Sequence, residues 1–468
     1  MDAKSLPKGI FFFRSVLASF RERSAPPKGI TLLFSKLRAN RFTWRSLTLA
    51  TGTIAGQAVH ILAAPVITRM FSPETFGVLA VYMSLSTILA VIGSMRYDGA
   101  IMITGDEEET INLGALCFMV SLSFSAVLLL ATSLLFFFRV QTVPRIAQMG
   151  WMLYLVPPAV FVLSSQSTLR MLGIRRERYR AVSLTGFVQG FSENCVKITA
   201  GAAGFTGPFG LIVGHLTGGM AAALYLLKRL RTGFPKGEVW KTIRKERMQA
   251  AGVRYSSFPL YNSWSSLVNV ISLQAPALML GWFFDLRAAG FYLLAQRVLK
   301  APVRLLGQAV SDSLFKETAD RKRTGRKILP FVLKVLGALG AVIAIPLVLA
   351  LFLSEILFET VFGPAWGTSG VYVSIMVPWI SVQFLSSAVS SVFSVLERNR
   401  LLSGLQLMLL TTTLLPFLLA ALMEHDDLDV LMLLSAFNFV SYAAYGAAAV
   451  WICRCHDAGL RTSAHTEA

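Results

Sequence analysis

KRLRTGFPKGEVWKTIRKERMQAAGVR, residues 228–254, is the longest basic connection in the chain, and six apolar stretches lie on either side of it. Before it come 47–69, 76–95, 112–138, 148–169, 181–203 and 208–227; after it come 257–283, 288–310, 328–354, 367–393, 401–423 and 429–452. Each is close to the ~20 residues that cross a ~30 Å hydrocarbon core. Composition agrees, since 54% of the 468 residues are hydrophobic and only 15% are charged, against ~25% charge in a soluble domain. The reading is an all-α polytopic membrane protein, with about twelve transmembrane helices in two six-helix bundles related by internal duplication.

The cations fix an orientation. About 35 of the 44 Lys and Arg fall in 1–46 and in every second loop thereafter, and basic loops face the cytoplasm. Both termini are therefore expected there. The organisation that follows is a basic extension over 1–46, a first bundle over 47–228, a cytoplasmic linker over 229–254, a second bundle over 255–453 and a tail over 454–468. The net charge of +19 then reflects topology and contact with anionic phospholipids. Cations spread over many loops argue against nucleic acid as a partner. Cys117, Cys195, Cys453 and Cys455 supply neither a disulfide framework nor zinc spacing.

The two sides of the linker repeat each other. Phe71-Ser72-Pro73-Glu74-Thr75-Phe76-Gly77 opens the second span and Phe284-Asp285-Leu286-Arg287-Ala288-Ala289-Gly290 opens the eighth, at an offset of 213. Val156-Pro157 and Val377-Pro378 lie in the fourth and tenth spans, and each is followed by a Ser pair. The polar exits Glu177-Arg178-Tyr179-Arg180 and Glu397-Arg398-Asn399-Arg400 come next. An even number of spans per half gives repeats of one orientation, a plan used by transporters with a site between the halves. Pro65, Pro157, Pro158, Pro302, Pro346 and Pro378 interrupt spans, as moving helices often require.

Within 1–46, Pro7-Lys8-Gly9-Ile10 recurs as Pro27-Lys28-Gly29-Ile30, each leading an apolar run too short to span. Interfacial amphipathic helices and a disordered basic tail are the two readings.

The eighth span, GFYLLAQRVLKAPVRLLGQAV, carries the most informative charges. Arg297, Lys300 and Arg304 stand at i, i+3 and i+7, within a ~60° sector of one helix face. A charge at the bilayer centre costs at least ~2.5–3.5 kcal/mol, so this face looks into protein or water. Such a stripe suits an anionic group such as a pyrophosphate, which Arg engages through paired hydrogen bonds; the alternative for Arg304 is snorkelling to the surface. In the fifth span Glu193 and Lys197, at i, i+4, either neutralise each other or face the cavity. Asp98, beside Arg96 at the end of the second span, and Glu193 are the two candidates for a coupling acid. Polar residues Gln57, His60, Asn262, Asn269 and Gln274 mark the first and seventh spans, with Asn262 and Asn269 sharing a face. They line a cavity or hold helices together. Asp106-Glu107-Glu108-Glu109 reads as a solvated loop. The sequence contains no P-loop, dinucleotide fingerprint, metal-ligand cluster or nucleophile elbow, so neither a cofactor nor a metal is expected.

With these residues laid out, residues 47–453 resemble the polysaccharide-flippase branch of the multidrug/oligosaccharidyl-lipid/polysaccharide exporter superfamily. The resemblance rests on the duplicated twelve-span plan and on three strings: Arg69-Met70-Phe71-Ser72-Pro73-Glu74-Thr75-Phe76-Gly77, Arg96-Tyr97-Asp98-Gly99-Ala100-Ile101, and Leu294-Ala295-Gln296-Arg297-Val298-Leu299 with Pro302. It implies a bacterial inner-membrane protein, not an enzyme, with two bundles around a central cavity. Such a protein moves an undecaprenyl-pyrophosphate-linked oligosaccharide between leaflets by alternating access, for O-antigen, capsule or exopolysaccharide, beside polymerase and export partners. The basic extension departs from the usual short start. Two other classes stand beside this one. A cation-coupled drug exporter of the same superfamily would favour acidic cavity residues, and a membrane glycosyltransferase or polymerase would need a large extramembrane loop with catalytic acids.

Overall fold

A computed structural model describes residues 41–138, 149–232, 242–423 and 426–466. Residues 1–48 and 49–468 form separate units; of the first, only 41–48 are described, as helix. The expectation for the repeated Pro-Lys-Gly-Ile segments lies outside the described residues.

The described residues contain no strand. The first six long helices are α1 (Arg41–Met70), α2 (Pro73–Ser94), α3 (Glu107–Phe137), α4 (Val156–Arg175), α5 (Tyr179–Ala202) and α6 (Pro208–Arg231). After a short linker helix, Lys245–Arg254, come α7 (Ser263–Phe283), α8 (Leu286–Arg323), α9 (Leu329–Phe362), α10 (Gly367–Ala388), α11 (Asn399–Met423) and α12 (Asp427–Thr466). Among the described residues, nine of the twelve are long and apolar enough to cross a membrane on their own. The other three, α1, α5 and α8, carry His60, Glu193 and Arg297, and they are needed for the cavity described below. Towards the outside, α9 exposes Ile345 and Phe352 and α3 exposes Phe137, the surface that a lipid environment favours.

The duplication is visible in the backbone. α2 starts behind extended Ser72, whose hydroxyl accepts from Thr75 N at 3.5 Å, and α8 starts behind extended Asp285. At the polar exits, Glu177 (φ 56°) and Glu397 (φ 59°) both take the left-handed conformation. Each is followed by the same closing bond: Arg178 N to Gly173 O at 2.9 Å and Arg398 N to Phe393 O at 2.8 Å, the six-to-one bond that ends helices. In the second half, the hydrogen bond from Lys322 holds the Glu397 carboxyl below its usual range.

Val156-Pro157 and Val377-Pro378 lie inside the candidate spans Gly150–Arg175 and Pro364–Val395, as expected, but in different local settings. Pro378 lies inside α10, whereas Pro157 and Pro158 sit in the first turn of α4, behind a 3₁₀ segment, Gly150–Leu155. Two consecutive prolines offer no N–H to the carbonyls of Leu153 and Tyr154, so that turn winds more tightly.

The acidic tetrad is a correction, because it is no free loop. Asp106 caps α3 by accepting from Glu109 N at 2.6 Å, and Glu109 reaches back to Gly105 N at 2.7 Å. Glu107 pairs with Arg176 at 2.6 Å, Glu108 with Arg247, and Glu109 with Arg254 at 2.8 Å. One turn further on, buried Asn112 donates to Thr242 O at 3.1 Å and accepts from Arg244 N at 2.9 Å. Opposite charges on α3 and on the segment 242–254 thus bind the connection between the halves to the first half.

α2 packs against α3, α4 and α6 of its own half and against α7 and α8 of the other. Its contact with α8 is reciprocal. A Cβ on Gly77 would run into the Leu286 backbone, and one on Gly290 into the Pro73 backbone. The two glycines occupy equivalent repeat positions, so each half admits the other's helix start at the same place.

Candidate functional site: a cationic cavity between the halves

A cavity of about 570 Å³ is lined by side chains from α1, α2, α4, α5, α6, α7 and α8. Its charged wall residues are Arg170, Glu193, Arg297 and Lys300, with His60 and His215 beside them. Three fixed cations against one carboxylate make the wall electropositive. The lining extends to Arg170, Val182 and Leu226, within a few turns of the basic loops.

The opposite end is sealed. Trp366, 1% exposed, lies edge-on to Phe76 at 4.8 Å and to Phe291 at 6.2 Å, and its indole N–H donates to Thr68 O at 2.9 Å. Arg69 Nη2 donates to Thr360 O at 3.1 Å. Glu74 and Arg287, equivalent residues of the two repeats, form an ion pair across the same junction.

Glu193 is the most tightly held polar group on the wall. Lys197 Nζ lies 2.5 Å from one carboxylate oxygen and His215 Nδ1 lies 3.2 Å from the other, with Glu193 2% exposed and Lys197 1%. A buried charge demands such partners. The approach of α6 makes them possible, because a Cβ on Gly214 would lie 2.5 Å from Lys197 Cγ and one on Gly218 2.6 Å from Glu193 Cβ. Beside the pair, Asn194 Nδ2 donates to His60 Nδ1 at 3.1 Å.

The sequence candidates separate. Arg297 and Lys300 both line the cavity. Arg304 falls within α8, but its side chain lies outside the described residues. Glu193 lines the wall, and Lys197 stands behind it. Asp98, 1% exposed, is also behind the wall: Ser167, a lining residue, donates to its Oδ2, while Oδ1 has no hydrogen-bond partner among the described residues. Asn269 borders a second, smaller cavity of about 30 Å³. Asn262 is exposed in the π-turn that precedes α7 and borders neither cavity; that turn breaks the i, i+7 register expected to align it with Asn269. Among the described residues no group of three or more His, Cys, Asp or Glu could hold a metal ion.

Sequence reasoning missed His215 and Arg170. Gly214-His215-Leu216-Thr217-Gly218 is a GxxxG string in an apolar span, the pattern of close helix approach, and it would have pointed to the Glu193 partner. Arg170 reads as one more cation of a basic loop until α4 is seen to carry it to the wall.

The comparisons agree with this architecture. The profile of a polysaccharide biosynthesis protein family matches residues 66–371. The chain belongs to that family. It is 22% identical over 330 residues to the succinoglycan biosynthesis transport protein ExoT of Rhizobium meliloti (strain 1021), covering 69% of this chain and 62% of that protein's length. Among solved structures it is similar to the lipid II flippase MurJ in an inward closed conformation, with a TM-score of 0.66, 12% identity, and coverage of 90% of this chain and 91% of that one. An inward-facing multidrug resistance transporter of the MATE family, in the MOP superfamily, gives a TM-score of 0.63 at 12% identity over 87% and 96% of the two chains. The fold is therefore the two-bundle, twelve-helix arrangement of these transporters, and the chain is a multi-pass membrane protein of a polysaccharide biosynthesis family.

Proposed function

We propose that this transporter carries an undecaprenyl-pyrophosphate-linked oligosaccharide from the cytoplasmic to the periplasmic leaflet of the bacterial inner membrane by alternating access. In this reading the termini and basic loops face the cytoplasm, where they meet anionic phospholipids, and polymerase and export proteins take up the product. The observation that carries it is the pair Arg297 and Lys300 on the wall of a cavity between the halves. A pyrophosphate head group entering from the basic side meets a guanidinium fork and an ammonium one turn apart, while the polyprenyl tail stays in lipid.

Arg297→Ala tests the reading. It should abolish polysaccharide export while the protein reaches the membrane at normal levels, and Arg297→Lys, which keeps charge but loses the planar fork, should export partially. Full export by Arg297→Ala at ordinary expression would sink the assignment.

The two acids divide in our reading. Glu193 is held by Lys197 and His215 and serves the architecture of the wall. Asp98 has a neutral hydroxyl as its hydrogen-bond partner and one buried oxygen without any among the described residues, so of the two candidates we assign the coupling role to Asp98. Asp98→Asn should leave substrate binding in place and remove the dependence of transport on the proton gradient. Gradient-dependent transport by Asp98→Asn would refute that assignment.

A further inference from the structure

Lys300 borders two cavities at once: the large one between the halves and the pocket of about 30 Å³ within the second half. The chemistry changes at this residue. On the large cavity's wall stand Arg170, Glu193, Arg297 and two histidines. Lys300 apart, the smaller pocket is lined by neutral side chains: amides, hydroxyls and aromatic rings, among them Asn269, Trp379, Gln383, Asn438 and Tyr442, together with the aliphatic Leu273, Pro276 and Leu409. The amides are already oriented. Gln383 Nε2 donates to Tyr442 Oη at 2.7 Å, and Asn438 accepts from Thr413 Oγ1 at 3.2 Å while donating to Leu434 O at 3.0 Å. Trp379 is 4% exposed, and its indole N–H has no acceptor among the described residues. Buried donors are nearly always satisfied, so a ligand oxygen is a fitting partner for this one.

Planar amides paired with aromatic rings, without charge, suit a neutral polyhydroxylated ring: the amides take hydroxyls in pairs and the rings cover the C–H face. About 30 Å³ exceeds the ~10–15 Å³ that one water needs, so the pocket takes one or two hydroxyl-sized groups and not a whole ring. We propose that it is the subsite for the sugar directly attached to the pyrophosphate: that sugar inserts one edge between Asn269, Gln383 and Trp379 while its ring remains in the main cavity beside Lys300. This rests on the pyrophosphate reading above and adds to it which half recognises the glycan. The first half would then be indifferent to sugar identity.

The test is binding by the full-length protein in nanodiscs. The probes are undecaprenyl pyrophosphate and undecaprenyl-pyrophosphoryl-glucose, -galactose and -N-acetylglucosamine. The wild type should bind at least one sugar-bearing probe more tightly than the bare pyrophosphate. Trp379→Phe, which keeps a ring and removes the donor, and Asn269→Ala should each cut that preference about five- to tenfold, the loss of one neutral hydrogen bond. Their affinity for bare undecaprenyl pyrophosphate should be unchanged, which also reports that they are folded. Arg297→Ala should weaken all four probes alike. Sugar preference retained in both pocket variants overturns the subsite and leaves the pyrophosphate reading standing. A wild type that binds none of the four probes overturns both.

Discussion

Glu193 and Lys197 illustrate how little a charge's identity says without its neighbours. At i, i+4 they read equally well as a local ion pair that supports packing or as cavity residues, and the fold makes them a fully buried pair with a histidine on the second oxygen. Removing one member of a buried pair strands the other and typically costs ~3–5 kcal/mol, whereas replacing both by well-packed apolar groups is often neutral. Lys197→Met alone should therefore lower the thermal midpoint of the detergent-solubilised protein sharply, and Lys197→Met with Glu193→Leu should recover most of the loss. A double variant as unstable as the single one would show that His215 and Glu193 hold the wall independently of Lys197. Arg297 and Lys300 differ in place, since both line the cavity between the halves.

Among elements, the connection between the halves behaves differently from an ordinary linker. Two ion pairs and two bonds from Asn112 tie the segment 242–254 to the start of α3, while Glu107 pairs with Arg176, just past the end of α4, and braces the same corner from within the half. The Glu108 and Arg254 pairs are exposed and worth under ~1 kcal/mol each. Asn112 is buried, and its two bonds to backbone groups are worth ~1 kcal/mol apiece, so Asn112 dominates the anchor. Asn112→Ala should speed trypsin cleavage at Lys245 and Arg247 in inverted membrane vesicles more than Glu108→Gln does. Equal protection in both variants would show that the linker is held elsewhere.

At the scale of the whole molecule, closure opposite the basic loops combines an ion pair and a buried ring. Arg287 is 62% exposed and Glu74 36%, so their attraction is modest; Trp366 is 1% exposed and hydrogen-bonded across the junction. The ring should therefore govern the closed state. Trp366→Ala should raise labelling of a cysteine placed at Gln274 by an impermeant reagent applied from the periplasm, and Arg287→Glu should raise it less, with Glu74→Arg restoring it. No change with Trp366→Ala would mean that this junction is not the barrier. Reporter fusions at positions 141, 285 and 426 should report the periplasm and those at 240 and 320 the cytoplasm; a reversed result at 240 would overturn the orientation. Deleting residues 2–40 should leave export largely intact, because neither apolar run there can span and Arg41 and Arg45 remain to orient α1. A truncated protein that reaches the membrane but exports nothing would show that the extension takes part in transport.

Span length and the alternation of basic loops were legible in the sequence because the bilayer imposes them locally, with about twenty apolar residues per crossing and charge sorted by side; the repeat was legible because both halves keep matching strings at a near-constant offset. The stripe of Arg297 and Lys300 was legible for the same reason, since charge in an apolar span must face away from lipid. Even the reciprocal glycines were present as Gly77 and Gly290 in matching strings. What the tertiary structure decided is everything that depends on two helices meeting. It brought His215 onto Glu193 and Arg170 onto the wall, moved Asn262 out of the site through a π-turn, and turned an acidic run into an anchor for the linker. It also set Trp366 against Phe76 and Thr68 across some three hundred residues of chain. Helical periodicity reports which face of a helix is buried, but not which neighbour buries it, and neighbours are chosen by shape and by pairing of charges over the whole fold.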